Sequence, residues 1–230
     1  MPVALVNGRV LRESGFTEGL AVIIDSGRIL DVVAADDPAV EAATRHDLHG
    51  QLLLPGFIDT QVNGGGGVLF NDDPSVESIH AIGRAHRRFG TTGFLPTLIS
   101  DDLHVVENAL SAVQAAIRAG VPGVLGIHIE GPFLNVQRKG VHDATKLREL
   151  DETALKLLTS LQGGRTLITL APEMTTPRII RKLTDAGVIV SAGHSNATYA
   201  EIQAALDQGL RGFTHLFNAM SQLTGREPGV

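Results

Sequence analysis

From Leu52 onward the chain alternates short apolar runs with longer amphipathic segments, and this rhythm restricts its fold more than any other feature. The runs LLPGFIDT, TGFLPTLI, GVLGIHIE, TLITLAPE, GVIVSAGH and RGFTHLF are predicted strands. Between them lie VESIHAIGRAHRRFG, DLHVVENALSAVQAAIRAG, DETALKLLTSLQ, PRIIRKLTDAG and NATYAEIQAALDQG. These segments place apolar residues at i, i+3, i+4 and i+7, and several end in Gly, as amphipathic helices do. Strands alternating with helices predict an α/β fold with a parallel sheet. Six consecutive units favour a (β/α) TIM-like barrel over a doubly wound open sheet.

Residues 1–54 have a different texture. ALVNGRVL places Asn7-Gly8 between apolar pairs, and LAVIIDSGRILDVVAA repeats the pattern around Ser26-Gly27. Both read as hairpins, so a small β unit is expected over 1–54 and a barrel domain over 55–230. No low-complexity tract, linker or short-period repeat interrupts this division.

Composition narrows the function classes. The net charge is −6, and the 19 Lys and Arg form no stripe, which argues against a nucleic-acid partner. Cysteine is absent, so a metal site must rest on His, Asp or Glu. No segment reaches the ~20 apolar residues of a membrane span, and the start MPVALVNGRV does not read as a signal peptide. A cytoplasmic protein without a membrane partner is expected.

The chemically capable residues fall where the predicted strands end. Asp59, Gln61 and Asn63 follow the first, Thr97 the second, His128 and Glu130 the third, Glu173 the fourth, His194 the fifth and His215 the sixth. In a (β/α) barrel the carboxyl ends of the strands converge on one face, the face that carries the active site. Glu130, His194 and His215 form a candidate metal set, because two imidazoles and a carboxylate suit Zn²⁺ or Fe²⁺ and leave room for water. Such an ion activates water and polarises a carbonyl, as amide hydrolysis requires. The run from Gln61 to Gly67 is equally compatible with a flexible turn and with close backbone approach to a ligand. Arg226, in MSQLTGREPG, is either a phosphate clamp or a solvated surface residue, and His142, in RKGVHDA, either a substrate contact or a loop residue.

At these positions the chain resembles the N-acetylglucosamine-6-phosphate deacetylases of the amidohydrolase superfamily. PGFIDTQVNGGGG, HIEGPFLN, KGVHDA, SAGHSNATYAE and THLFNAM look like successive signatures of that family, in order along the chain. Gln61-Val62-Asn63 stands where many amidohydrolases carry His-x-His, which points to a single-metal site. The resemblance implies a metal-dependent hydrolase barrel joined to a small β-sandwich. It implies hydrolysis of N-acetylglucosamine 6-phosphate to glucosamine 6-phosphate and acetate by a homodimer. Glu130, His194 and His215 match the family's ligands to one divalent ion, with Zn²⁺ expected first. Val141 with His142, and Asn218 with Ala219, match substrate contacts, Gln61 and Asn63 line the same site, and Arg226 matches the residue that grips the 6-phosphate.

The same resemblance places the general-base Asp after an eighth strand. No catalytic residue of that kind is expected before Val230, and about six of eight barrel units are expected in these 230 residues. Two other functions compete: an amidohydrolase acting on another amide, and a non-catalytic metal- or sugar-phosphate-binding protein.

Overall fold

The computed structural model describes residues 1–230. The chain packs as two units, Met1–Gly56 and Phe57–Val230. The first contains strands β1 (Val3–Val6), β2 (Arg9–Arg12), β3 (Gly15–Thr17), β4 (Leu20–Asp25) and β5 (Arg28–Ala34). The short helix α1 (Pro38–Glu41) and strands β6 (Thr44–Asp47) and β7 (Leu52–Leu53) complete it.

Two similar turns behave differently here. At Ser26-Gly27 both residues have positive φ, 49° and 75°, and β4 and β5 form the expected antiparallel hairpin with Asp25 opposite Arg28. Two left-handed residues give the turn a twist that matches the strands, and glycine supplies one of them without strain. Asn7-Gly8 makes no hairpin, which corrects the expectation from sequence. Only Asn7 has positive φ, and β1 and β2 enter different sheets, ordered β5–β4–β1–β6 and β3–β2–β7. Residues 47–51 take up the hydrogen bonds that a hairpin would use. Asn7 Nδ2 donates to Asp47 Oδ2 at 2.8 Å, Leu48 N to Val6 O at 2.8 Å, and Arg9 N to Gln51 O at 3.0 Å. Ala4, Val6, Ala21, Ile23 and Val40 form this unit's core.

The second unit contains strands β8 (Phe57–Val62), β9 (Gly64–Gly65) and β10 (Val68–Leu69), then helix α2 (Val76–Arg87). There follow β11 (Thr91–Ile99), α3 (Leu103–Arg118), β12 (Gly126–Glu130), α4 (Glu152–Leu158), β13 (Arg165–Leu170), α5 (Pro177–Asp185), β14 (Ile189–Ala192), α6 (Tyr199–Asp207) and β15 (Gly212–Phe213). Six strands pair in parallel in chain order, β8–β11–β12–β13–β14–β15. A doubly wound sheet reverses its order at a switch point. This one never does, and it has the order of a partial TIM-like barrel.

Local chemistry sets the helix starts. Ser75, Asp151 and Thr176 each cap a helix through a side-chain oxygen, and Thr198 with Glu201 makes a capping box at α6. Strand β12 is buried along its whole length, as expected of a parallel strand covered on both faces. At its start, Gly126 has φ 153°, and a Cβ there would lie 1.8 Å from Arg165 O. Only glycine lets β12 approach β13 this closely. Ile79, Ile82, Val106, Leu110 and Val113 pack with Leu98, Ile127, Ile129, Ile168 and Leu170 in the core.

Two strands differ most from expectation. The first begins at Phe57, because Leu52–Leu53 pairs with β2 instead. The sixth contains only Gly212–Phe213. His215 and Phe217 take φ of 58° and 72°, which turns the chain out of the strand.

Candidate metal centre

Glu130 is the last residue of β12 and is 2% exposed. His194 follows β14 by two residues and His215 follows β15 by two. Parallel pairing in register therefore carries three side chains, 64 and 85 residues from the first, to one end of the sheet. His215 Nε2 lies 2.8 Å and His194 Nε2 3.1 Å from the same oxygen, Glu130 Oε1. All three ligand atoms fall within 4.8 Å of one another.

The surrounding bonds fit a cation. His194 Nδ1 lies 2.8 Å from the carbonyl of Arg138, which must accept, so Nδ1 carries a proton; Nε2, which faces Glu130, is the nitrogen that would ligate a metal once its own proton leaves. Gln61 Nε2 donates to Glu130 Oε2 at 2.8 Å and orients the carboxylate. Burial pushes the Glu130 carboxyl up, but the hydrogen bond of His194 and the nearby His128, His142 and His215 hold it at about 2. It is ionised at neutral pH. The set Glu-His-His thus matches what a divalent ion such as zinc requires.

His142 is buried, with its ring centroid 4.6 Å from that of His194. Burial and then the neighbouring His194 lower its pKa to about 4, so the ring is neutral near pH 7. Ser100 decides its tautomer. The Ser100 backbone N–H donates to His142 Nδ1 at 3.3 Å, and the Ser100 hydroxyl lies 2.7 Å from the same atom. Because an N–H cannot accept, Nδ1 is the acceptor and the proton resides on Nε2.

Beneath the triad runs a ladder of buried polar groups. His128 Nδ1 lies 3.2 Å from Thr97 Oγ1, and His128 Nε2 lies 2.8 Å from Thr169 Oγ1. Thr169 Oγ1 is 2.7 Å from Thr214 Oγ1, which is 2.8 Å from Ser191 Oγ. Burial lowers the His128 pKa to about 4. Gln61, His128, Ser191, Thr214 and His215 line a cavity of about 260 Å³ beside this ladder.

The other candidates are distributed differently. Asn63 lies just beyond β8 and accepts from Phe70 N through its carbonyl, without a bond to the triad. Val141 is 88% exposed beside buried His142. Asn218 donates its backbone N–H to His215 O at 2.6 Å, and Ala219 O accepts from Ser195 N at 3.1 Å. These two therefore brace the histidine segments through the backbone. Arg226 is exposed.

Sequence reasoning passed over Ser100, although it directly follows the second predicted strand and the same positional rule could have found it. It also passed over Arg138, whose contribution is a carbonyl that no side-chain pattern can signal.

The sequence pattern of the amidohydrolase family matches residues 52–229. The chain is 44% identical over 223 residues to N-acetylgalactosamine-6-phosphate deacetylase of Shewanella sp. (strain ANA-3), covering 96% of this chain and 57% of that protein. It is 37% identical over 231 residues to N-acetylglucosamine-6-phosphate deacetylase of Haemophilus influenzae, covering 100% of this chain and 60% of that protein. The crystal structure of N-acetylglucosamine-6-phosphate deacetylase from Pasteurella multocida superimposes with a TM-score of 0.93 at 36% identity, covering 100% of this chain and 61% of that one. The chain thus spans about three-fifths of the length of the relatives it matches.

Proposed function

The chain belongs to the amidohydrolase family, and from that premise we propose that it serves metal-dependent hydrolysis of the N-acetyl group of N-acetylglucosamine 6-phosphate, giving glucosamine 6-phosphate and acetate. The observation that carries this reading is the single carboxylate oxygen, Glu130 Oε1, approached by the Nε2 atoms of both His194 and His215. Zn²⁺ is the ion assigned, because a carboxylate and two imidazoles suit it and three protein ligands leave a position open for reaction. A divalent ion held there supplies Lewis acidity and an activated water.

The protein's own groups do the rest. Gln61 holds the carboxylate, and Arg138 O holds the His194 ring, so two of the three ligands are already oriented for an ion. His142, neutral and protonated on Nε2, donates to the acetyl carbonyl oxygen as charge develops there. Asn63, Val141, Asn218 and Ala219 contact the sugar, and Arg226 grips the 6-phosphate through charge-assisted bonds. No general base is assigned within residues 1–230. The reading includes a homodimer acting in the cytoplasm; no helix of the chain is long and apolar enough to cross a membrane.

A second substrate has a specific observation in its favour. The Shewanella relative, at 44% identity, is a deacetylase of the galactosamine epimer. One assay separates the readings: acetate release by the protein isolated from its source, with each 6-phosphorylated epimer and with unphosphorylated N-acetylglucosamine. We expect the glucosamine epimer to give the larger kcat/KM and Arg226→Ala to raise its KM about 10- to 100-fold, the share of a charged hydrogen-bonding pair. Preference for the galactosamine epimer would replace the substrate, and equal turnover of the unphosphorylated sugar would remove the role of Arg226. Absence of acetate release from every compound would overturn the proposed reaction.

A further inference from the structure

Glu173 follows β13 and takes no part in the roles above, yet it joins two loops that hold the proposed centre. Its Oε1 accepts from Asn135 Nδ2 at 3.0 Å and from the Asn196 backbone N–H at 2.6 Å. Its Oε2 accepts from Ser195 Oγ at 2.7 Å. A carboxylate is an acceptor-only group, and here it meets three donors from two loops. Asn135 belongs to the loop after β12, and Ser195 and Asn196 to the loop after β14.

These bonds converge on His194. Asn135 N donates to His194 O at 3.0 Å. Asn196 Oδ1 accepts from Arg138 Nε at 2.5 Å, and Asn196 Nδ2 donates to Gln137 Oε1 at 2.7 Å. Asn196 thereby fixes residues 137 and 138, and Arg138 O is the acceptor that orients the His194 ring. The circuit runs from Glu173 to Asn196, to Arg138, to His194. His194 itself has φ 51°, a left-handed conformation that strains a non-glycine residue and persists only where its surroundings impose it.

We propose that Glu173 is a positioning residue: it clamps the loops after β12 and β14 together so that His194 presents Nε2 beside Glu130. The proposal rests on the reading of Glu130, His194 and His215 as metal ligands. Groups that hold a ligand from behind commonly change metal affinity by about 10–100-fold.

The test measures Zn²⁺ affinity of the full chain by competition with a chelating dye, alongside thermal melting of the metal-free chain. Glu173→Ala is expected to weaken affinity about 10–100-fold. Glu173→Gln keeps a carbonyl for Asn135 and Asn196 and should return affinity to within about threefold of wild type. The Co²⁺-loaded chains should match this order, with the visible bands of Glu173→Ala shifted and those of Glu173→Gln near wild type. Unchanged affinity in Glu173→Ala overturns the proposal, as does a loss that Glu173→Gln leaves in place while melting falls, which would mark a general loop brace. If Glu173→Ala does not fold, Asn196→Ala removes the side-chain links to Arg138 and Gln137 but keeps the backbone N–H that Glu173 accepts; affinity should fall about tenfold, and no change overturns the proposal.

His194→Ala separates the two levels of argument. If it binds Zn²⁺ as tightly as wild type, the ligand assignment fails and the positioning role fails with it. If it loses Zn²⁺ while Glu173→Ala does not, only the positioning role fails.

Discussion

The segments after β14 and β15 each deliver a histidine to the same carboxylate oxygen, but by different means. His194 is buried and sits in a loop tied at both sides: its Nδ1 lies on Arg138 O, Gly193 N before it donates to Leu170 O, and Ser195 and Asn196 after it reach Ala219 O and Glu173. His215 has a side chain 39% exposed, follows a strand of two residues, and is bonded through its ring only to Glu130. One ligand is prebuilt by tertiary bonds, whereas the other rests on a local turn. On the proposed reading, Glu130 and His194 are the better-braced pair, and His215 would lose more side-chain freedom on completing the set.

The largest expected effect tests that asymmetry directly. A zinc site is worth ~10–16 kcal/mol over its ligands, so His194→Ala should weaken Zn²⁺ binding by roughly a thousandfold. His215→Ala should cost roughly tenfold less, because ordering its ring offsets part of its contribution. Chelator competition on both variants measures this, and equal losses would erase the distinction.

A smaller effect concerns what supports His215 from below. Thr214 hangs on the ladder that runs through His128, whose pKa burial has lowered to about 4. A histidine lowered on folding binds its proton more weakly in the folded chain than in the unfolded one. Stability is therefore intact above the unfolded value near 6.5 and falls as pH drops toward 4. For His128 the loss should reach roughly 2–3 kcal/mol by pH 4 in the metal-free chain. His142, lowered to about 4 by burial and His194, acts in the same direction. Urea unfolding at a series of pH values reads this out, and a flat profile between pH 7 and 4 would contradict the neutral ladder. His194 should oppose the trend. Burial lowers its pKa, but Glu130 and Arg138 O together raise it, so its contribution is present below about 6.5 and is lost as pH rises through the folded value.

The smallest effect marks the edge of the braced segment. Thr198 caps α6 just beyond Asn196. Thr198→Ala should cost about 1 kcal/mol of unfolding free energy and leave Zn²⁺ affinity within about threefold of wild type. A large loss of affinity would extend the brace into the helix.

Much of this was legible in advance for a definite reason. Glu130, His194 and His215 could be picked out because period and punctuation locate strand ends, and a barrel makes strand ends neighbours. Gln61 was legible by position, but its bond to Glu130 was not. Glu173 stood at a strand end with nothing to connect it to Asn135 or Asn196, which lie 38 and 23 residues away. The failed hairpin at Asn7-Gly8 shows the same boundary. The dipeptide codes for a left-handed turn, which Asn7 makes, but the competing strands arrive from residues 44–53.

The amino-acid sequence by itself determined the alternation of strands and helices, the helix caps, the dependence of any metal on His and carboxylate, and the end of the sheet where they gather. These follow from local propensity, hydrophobic period and side-chain chemistry, which are properties of short windows. Only the tertiary structure decided which oxygen the two histidines share, which tautomers Ser100 and Arg138 select, and that Glu173 joins two loops. Each depends on positioning groups from distant segments to within a few tenths of an ångström, and hydrogen bonds are directional enough that no window of sequence can specify them.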